Sequence, residues 1–227
     1  MNTDIPLLPK GSYFVTGIDT DAGKTFATAW LTVQLINEGH SVITQKFIQT
    51  GNPPGYSEDV EAHRRLAGMS PTEEDRAGLT APLIFSYPAS AQLAARIDGR
   101  DIDLNVVDAA RRSLEESYDI VLVEGAGGLM VPITDTIFAI DYAATQHLPL
   151  ILVTNGRLGS INHTVLSLEA IHHRGLPLAM VLYNTYFDAD PIISADSRNF
   201  IERYVCRHFS NVPVLDIPIL DKGCKES

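Results

Sequence analysis

The chain has 227 residues, of which 45% are hydrophobic, enough for a folded α/β domain with a sizeable core. It carries 17 lysine and arginine residues against 28 aspartate and glutamate residues, a net charge of −11. This acidic balance argues against nucleic acid as the main partner. The two cysteines, Cys206 and Cys224, match neither a disulfide framework nor a zinc-binding spacing.

The N-terminal sequence MNTDIPLLPKG lacks the basic region and the long apolar run of a signal peptide. No apolar stretch approaches the roughly 20 residues that span a bilayer. We therefore expect a cytoplasmic protein in a reducing compartment, with no membrane partner.

Short apolar runs rich in β-branched residues alternate with helical patterns along the chain. The predicted strands are Tyr13–Thr16, Ser41–Gln45, Ile120–Val123, Leu150–Val153, Ala179–Tyr183 and Val214–Ile217. The predicted helices are Phe26–Glu38, Glu58–Ala67, Leu104–Tyr118, Ala139–Gln146, Ile161–Arg174 and Ile193–Arg207. Residues 69–90 contain three prolines, at positions 71, 82 and 88, and are expected to form irregular surface loops over a site.

Continuously apolar strands separated by helices predict a doubly wound, mostly parallel central sheet with helices on both faces. We expect one such α/β domain over residues 1–227. In these sheets ligands bind beyond the carboxyl ends of the strands, and several polar segments of this chain follow a predicted strand directly.

The segment SYFVTGIDTDAGKT, from Ser12 to Thr25, resembles a phosphate-binding loop. The usual loop has four residues between its first glycine and the Gly-Lys-Ser/Thr, whereas five separate Gly17 from Gly23. Its place between a strand and a helix is the context that such a loop requires. Lys24 is expected to reach the β- and γ-phosphates, and the Thr25 hydroxyl to bind Mg²⁺. The alternative is a chance Gly-Lys-Thr in a turn, and no G-x-G-x-x-G indicates a dinucleotide fold.

Three further polar residues are candidates for the same site. Glu124 begins EGAGG after a predicted strand, where a carboxylate helps to hold Mg²⁺ in phosphate-loop NTPases, although a solvated turn is the alternative. Lys46 begins KFIQT after another strand, and is either a surface lysine or a cation that neutralises a substrate anion or a transferring phosphoryl group. Asp59 is either a third oxygen near the metal or an acid favoured at a helix start.

The segment RLGSINH opens the predicted helix that begins at Ile161. Backbone N–H groups of Gly159, Ser160 and Ile161 could bind a carboxylate or phosphate, and Ser160 could instead, or also, cap the helix. His172 and His173 lie near the end of that helix and are interpreted as structural.

Taken together, these segments resemble dethiobiotin synthetase, the penultimate enzyme of biotin synthesis, which has a P-loop NTPase type of fold. The resemblance runs from about Tyr13 to Leu220, and the longer phosphate loop is the family's form. It implies an ATP- and Mg²⁺-dependent cyclo-ligase that joins CO₂ to 7,8-diaminononanoate and closes a ureido ring through a carbamate and a carbamic–phosphoric anhydride. The identifying segments are YFVTGIDTDAGKT, the loop from Lys46 to Thr50, VLVEGAGGLMVPITD and LGSINHT.

The resemblance also implies the residues of the site. Lys46 and Lys24 are implied as catalytic residues, and Thr25, Asp59 and Glu124 as Mg²⁺ ligands. The implied nucleotide-binding positions are Thr20, Asp21, Ala22, Gly23, Lys24, Thr25, Phe26, Asp59, Glu124, Gly125, Ala126, Gly127, Asn184, Thr185, Pro218, Ile219 and Leu220. The implied substrate positions are Thr50 and, donated by the other subunit of a homodimer to the substrate carboxylate, Gly159, Ser160, Ile161 and Asn162.

The chain departs from the family pattern at Phe47, where proline is usual, and at Thr185, where aspartate is common. Two other functions are compatible with the first two motifs. A ParA/MinD-like ATPase switch usually has a second lysine early in the phosphate loop, where this chain has Ile18 and Asp19. A cofactor-pathway amidoligase needs an amine donor such as glutamine, and the chain has no room for a glutaminase domain.

Overall fold

A six-stranded parallel sheet forms the centre of the molecule. The computed structural model describes residues 5–188 and 190–218. The sheet contains β1 Gly11–Gly17, β2 Val42–Lys46, β5 Ile120–Gly128, β6 Leu150–Asn155, β7 Leu178–Asn184 and β8 Val214–Ile217, in the order β2-β5-β1-β6-β7-β8. A second, two-stranded parallel sheet pairs β3 Gln49–Thr50 with β4 Ile84–Phe85.

Eight α-helices surround the sheets within the described part of the chain. They are α1 Lys24–Asn37, α2 Glu58–Leu66, α3 Glu73–Arg76, α4 Ala91–Asp98, α5 Leu104–Glu115, α6 Ala139–Thr145, α7 Ser160–His173 and α8 Pro191–His208. Across residues 5–188 and 190–218, none of the helices combines the length and the apolar character needed to cross a bilayer.

The central strands are largely apolar because both of their faces are buried. Phe14 of β1 packs in a cluster with residues of α4 to α8, whereas its neighbours Tyr13 and Val15 pack against α1. β5 divides in the same way, with Val121 facing the first cluster and Leu122 the second. The predicted doubly wound fold with helices on both faces is confirmed, and it brings the carboxyl ends of six parallel strands to one edge.

Two parts of the sequence-based prediction of secondary structure were wrong. The segment 69–90, expected to be irregular, contains α3 and β4, and the unpredicted helix α4 follows it directly. Helix α4 buries three alanines and ends at Gly99, whose φ of 64° suits a glycine after a helix. β5 continues past the predicted end at Val123, because Glu124 still pairs with β1.

Candidate active site

The phosphate-type loop connects α1 to β1, which is a central strand of the six-stranded sheet. Gly23 is its last residue and has a φ of 91°, a left-handed conformation that glycine adopts without strain. A Cβ atom at Gly23 would lie 2.0 Å from Nδ2 of Asn184, which donates a 3.3 Å hydrogen bond to the carbonyl oxygen of Ala22. The side chain of Asn184, at the end of β7, therefore holds the loop and requires a glycine there.

Four side chains from four different elements meet beside this loop. Nζ of Lys46, the last residue of β2, lies 2.6 Å from Oδ2 of Asp59 and 2.8 Å from Oε1 of Glu124. The hydroxyl oxygen of Thr25 lies 2.9 Å from Oδ1 of Asp59 and 3.1 Å from Oε1 of Glu124. Lys46 and Glu124 are brought together by register, because they are partners on the adjacent strands β2 and β5. We call these four residues the lysine–carboxylate cluster.

The charges of the lysine–carboxylate cluster stabilise one another in a buried setting. Burial would raise the pKa of Glu124, but the Lys46 ammonium and hydrogen bonds from Lys46 and His63 hold that pKa well below its usual range. Burial would lower the pKa of Lys46, but Glu124 and Asp59 outweigh it, and the pKa is raised. Burial lowers the pKa of Lys24, and the same carboxylates offset only part of that change. At neutral pH, Lys46 is therefore an ammonium and Glu124 a carboxylate.

A cleft of about 580 Å³ opens over the cluster and the phosphate-type loop. It is lined by Thr20, Asp21, Gly23, Lys24, Thr25, Lys46, Ile48, Gln49, Thr50, Glu58, Asp59, Glu124, Ala126, Gly127, Arg157 and Phe187. Another cavity, of about 640 Å³, is lined largely by apolar residues including Pro54, Leu79 and Val106, and contains no predicted site residue. The cleft is the better candidate for a site because its charged and polar side chains converge.

The cleft brings together eleven of the predicted site residues, namely Thr20, Asp21, Gly23, Lys24, Thr25, Lys46, Thr50, Asp59, Glu124, Ala126 and Gly127. Several others lie elsewhere. Asn184 is buried beneath the loop, the Thr185 hydroxyl donates a hydrogen bond to the carbonyl oxygen of Ile217, and Phe26, on α1, packs against the edge of the core. Ala22, Gly125 and Pro218 do not line the cleft, and Ile219 and Leu220 lie outside the described residues. The functional roles of all these residues stay predictions.

The segment from Gly159 to Asn162 does not line this cleft. Helix α7 begins at Ser160, after Gly159 in a left-handed conformation, so the alternative interpretation of Ser160 as the helix cap is wrong. The Ser160 hydroxyl instead donates a buried 2.5 Å hydrogen bond to Oδ1 of Asn155, at the end of β6. The Ser160 N–H donates to the carbonyl oxygen of Arg157 at 2.9 Å, so one of the three predicted anion-binding amides is used within the chain.

His63 is a site residue that the sequence analysis missed. It lies on α2, four residues after Asp59, and is 1% exposed. Its Nε2 is 2.6 Å from Oε2 of Glu124, and its Nδ1 is 3.0 Å from the hydroxyl oxygen of Thr44. The i, i+4 spacing from Asp59 was the available signal, since residues four apart share one face of a helix.

Arg157 and Phe187 were also missed. They lie at the wall of the cleft, and the Arg157 guanidinium carbon is 3.8 Å from the centroid of the Phe187 ring. Arg157 lies in the loop between β6 and α7 and Phe187 in a single 3₁₀ turn, Thr185–Phe187, and neither segment is long enough to show a periodic pattern that would indicate their meeting.

The lysine–carboxylate cluster fits part of a Mg²⁺ site. Mg²⁺ prefers oxygen ligands and usually keeps several waters, so the Thr25 hydroxyl and the carboxylates of Asp59 and Glu124 could hold it together with phosphate oxygens. Within residues 5–188 and 190–218, no group of three or more His, Cys, Asp or Glu side chains is arranged to hold a metal ion. A bound Mg²⁺ would therefore depend on the nucleotide as well as on the protein.

Comparisons with known proteins agree with this geometry. A protein family described as "AAA domain" matches residues 11–222. The chain is 45% identical to an ATP-dependent dethiobiotin synthetase of Pasteurella multocida, over 88% of this chain and 93% of that protein. It is 44% identical to one of Chlorobaculum tepidum, over 89% of this chain and 85% of that protein.

The chain belongs to the dethiobiotin synthetase family. A third relative, the ATP-dependent dethiobiotin synthetase of Haemophilus influenzae, is 48% identical over 79% of this chain and 94% of its own length. A ParA family ATPase from Chlorobium tepidum has a similar structure, with a TM-score of 0.52, 17% sequence identity, and coverage of 92% of this chain and 86% of that one. At this identity the likeness shows the fold that the family shares with P-loop ATPases, and not a common function.

Proposed function

We propose that this protein is an ATP-dependent dethiobiotin synthetase that carboxylates 7,8-diaminononanoate with CO₂ and closes the ureido ring of dethiobiotin. The observation that carries the proposal is the buried ammonium of Lys46, held by Asp59 and Glu124 in the same cleft as the phosphate-type loop. A ParA/MinD-like switch usually has its second lysine within the phosphate loop, whereas Lys46 lies on a neighbouring strand, where it can meet the anion of a second substrate such as a carbamate.

The proposed reaction has three steps and needs no protein nucleophile. One amine of the substrate adds to CO₂ and loses a proton, giving a carbamate anion. A carbamate oxygen then attacks the γ-phosphorus, the bond to the bridging oxygen breaks, and ADP leaves. The second amine attacks the carbonyl carbon of the mixed anhydride, phosphate leaves, a proton is lost, and the ring closes.

The residues of the cleft act by charge and position. Lys24 and the backbone N–H groups of the loop would hold the phosphates, while Lys46 neutralises the carbamate as it approaches the γ-phosphate. Because its pKa is raised, Lys46 stays cationic at neutral pH and can do so throughout the reaction. Thr25, Asp59 and Glu124 would hold Mg²⁺, which neutralises phosphate charge during transfer.

The remaining predicted residues complete the proposal. Asn184, Thr185 and residues 218–220 would surround the nucleotide base, and Thr50 would contact the diamine. The segment 159–162 would bind the substrate carboxylate from the other subunit of a homodimer, which is consistent with its position outside this cleft. The single domain over residues 1–227 and the cytoplasmic location stay predictions.

The test is product formation. The purified protein is incubated with diaminononanoate, ¹³C-bicarbonate, ATP and Mg²⁺, and dethiobiotin carrying the label is expected by mass spectrometry. Reactions without ATP or without the diamine should give none. Folded protein that forms no product, but whose ATPase activity is stimulated by DNA or a membrane, would contradict the proposal in favour of a switch ATPase.

The subunit arrangement has a separate test. We expect a dimer by sizing with light scattering at the concentration of the assay. A monomer that is fully active at that concentration would overturn the shared site.

A further inference from the structure

We propose that His63 is a positioning residue, which acts by fixing the orientation of the Glu124 carboxylate in the cleft. The expected change in kcat rests on the proposed function. The expected change in affinity for a Mg²⁺–nucleotide complex does not. His63 and Glu124 are both buried, and neither the motifs nor the reaction steps use the histidine.

The hydrogen bonds around His63 form a chain that begins at Arg64 and ends at Glu124. Arg64 is buried and donates to both carboxylate oxygens of Asp75, at 2.9 and 2.8 Å. It also donates from Nη1 to the hydroxyl oxygen of Thr44, at 2.9 Å. An arginine side chain only donates, so the Thr44 oxygen accepts there and keeps its proton and a second lone pair for its contact with Nδ1 of His63.

The Glu124 carboxylate determines which nitrogen of His63 must carry a proton, because an ionised carboxylate only accepts hydrogen bonds. Nε2 therefore donates to Oε2 of Glu124 at 2.6 Å, whichever way the hydrogen bond between Nδ1 and the Thr44 hydroxyl runs. Every polar atom in the chain from Arg64 to Glu124 then has a matching partner.

The two oxygens of Glu124 therefore face different surroundings. Oε2 is bound by His63, while Oε1 lies near Nζ of Lys46 and the Thr25 hydroxyl at 2.8 and 3.1 Å. Holding Oε2 fixes the plane of the carboxylate and so fixes the oxygen that faces the reacting groups. Without the hydrogen bond from His63, the Glu124 carboxylate could rotate, and the Lys46 ammonium bound to it would move as well. Small displacements of catalytic groups lower reaction rates strongly.

A set of variants of nearly equal size separates positioning from packing. In His63→Gln the side-chain amide reaches the place of Nε2 and can still donate to Glu124. In His63→Asn the shorter amide reaches the place of Nδ1, so it keeps the Thr44 partner but loses Glu124. His63→Leu loses both partners. His172→Gln, on the exposed surface of α7, is the matched control.

The kinetic readout is the separation of kcat from KM for dethiobiotin formation. His63→Asn and His63→Leu should lower kcat by roughly 10- to 100-fold, the usual cost of losing a residue that orients a metal ligand, while KM for the diamine changes little. His63→Gln should stay within a few-fold of the parent protein. Equal losses in the Gln and Asn variants, with equal thermal stability, would overturn the proposal, because packing alone would then explain them.

The binding readout does not depend on the product. Calorimetry with the β,γ-methylene analogue of ATP, in Mg²⁺ and then in EDTA, should show roughly tenfold weaker binding for the Asn and Leu variants in Mg²⁺ only. Loss of the same size in EDTA, or no loss, would overturn the positioning role. If the variants show this binding pattern but the parent protein forms no dethiobiotin, the proposed function is contradicted and the role of His63 is still supported.

Discussion

Two halves of the central sheet present different chemistry at the same edge. β2 ends in Lys46 and β5 contains Glu124, a buried charged pair whose partners include the Asp59 carboxylate, the His63 ring and the Thr25 hydroxyl. β6 and β7 end in Asn155 and Asn184, which are equally buried but neutral, and whose partners lie in the loops that follow β6 and β7 or in the phosphate-type loop.

This comparison teaches that burial alone does not identify a reactive residue. A buried amide with satisfied hydrogen bonds is ordinary and holds a loop in place. A buried ion pair carries a desolvation cost that its attraction often only just offsets, so its presence is weak support for a role in stability. We therefore assign chemistry to the Lys46 half of the edge and loop support to the half with Asn155 and Asn184.

Replacing Lys46 is expected to have the largest effect on activity. Lys46→Ala should lower kcat by on the order of 10²- to 10³-fold, the usual cost of removing one group that stabilises transition-state charge. Nucleotide affinity should change by only a few-fold, because the proposed partner of Lys46 is the carbamate. Steady-state kinetics and calorimetry measure the two quantities.

Lys10→Ala is the matched control, because Lys10 is paired with Asp119 away from the cleft and is largely exposed. It should leave both quantities unchanged. A Lys46→Ala variant that loses ATP affinity as much as turnover would show that Lys46 binds the nucleotide instead.

Gly23→Ala tests the contact between the phosphate-type loop and Asn184, at the end of β7. The new Cβ would collide with Asn184, and a residue other than glycine at this φ adds strain of about 1–3 kcal/mol. Nucleotide binding should weaken at least about tenfold by calorimetry. Gly68→Ala is the control, since Gly68 also has positive φ but nothing within 4 Å of a new Cβ. Equal binding losses in both variants would mean that the approach of Asn184 is unimportant.

Asn184→Ala should affect stability more than chemistry. The change removes the hydrogen bond to Ala22 and the acceptor for the Tyr186 N–H, at a cost of about 1–3 kcal/mol for groups left unsatisfied. Thermal unfolding should show this loss, and kcat at saturating substrates should fall only a few-fold. A large fall in kcat with unchanged stability would place Asn184 in the chemistry and remove the difference between the two halves.

The sequence predicted the first half of the edge better than the second, for a physical reason. Lys24, Lys46 and Glu124 follow apolar strands, and parallel strands bring their carboxyl ends together, so their meeting followed from the pattern. His63 was missed because its role depends on how α2 packs against the sheet. That packing places Thr44 of β2 and Glu124 of β5 on either side of the ring. The alternative of a Ser160 cap fails because the Ser160 hydroxyl bonds Asn155, a partner that local preference cannot reveal.

The smallest expected effect belongs to Asn155, and it is confined to one substrate. Asn155 accepts hydrogen bonds from the Arg157 N–H at 3.1 Å and from the Ser160 hydroxyl at 2.5 Å, so it fixes the start of α7. If that segment binds the substrate carboxylate, Asn155→Ala should raise KM for the diamine several-fold and leave KM for ATP and kcat near the parent values.

Ser167→Ala is the control for Asn155→Ala, since the Ser167 hydroxyl donates within α7, to the carbonyl oxygen of His163. It should change neither KM. In a dimer with shared sites, each site takes Lys46 from one subunit and the start of α7, which Asn155 holds, from the other subunit. Mixing the Asn155→Ala and Lys46→Ala variants should therefore restore activity at low diamine concentration in the fraction of mixed dimers, which keep one intact site. No recovery after verified subunit exchange would mean that each subunit supplies both segments to its own cleft.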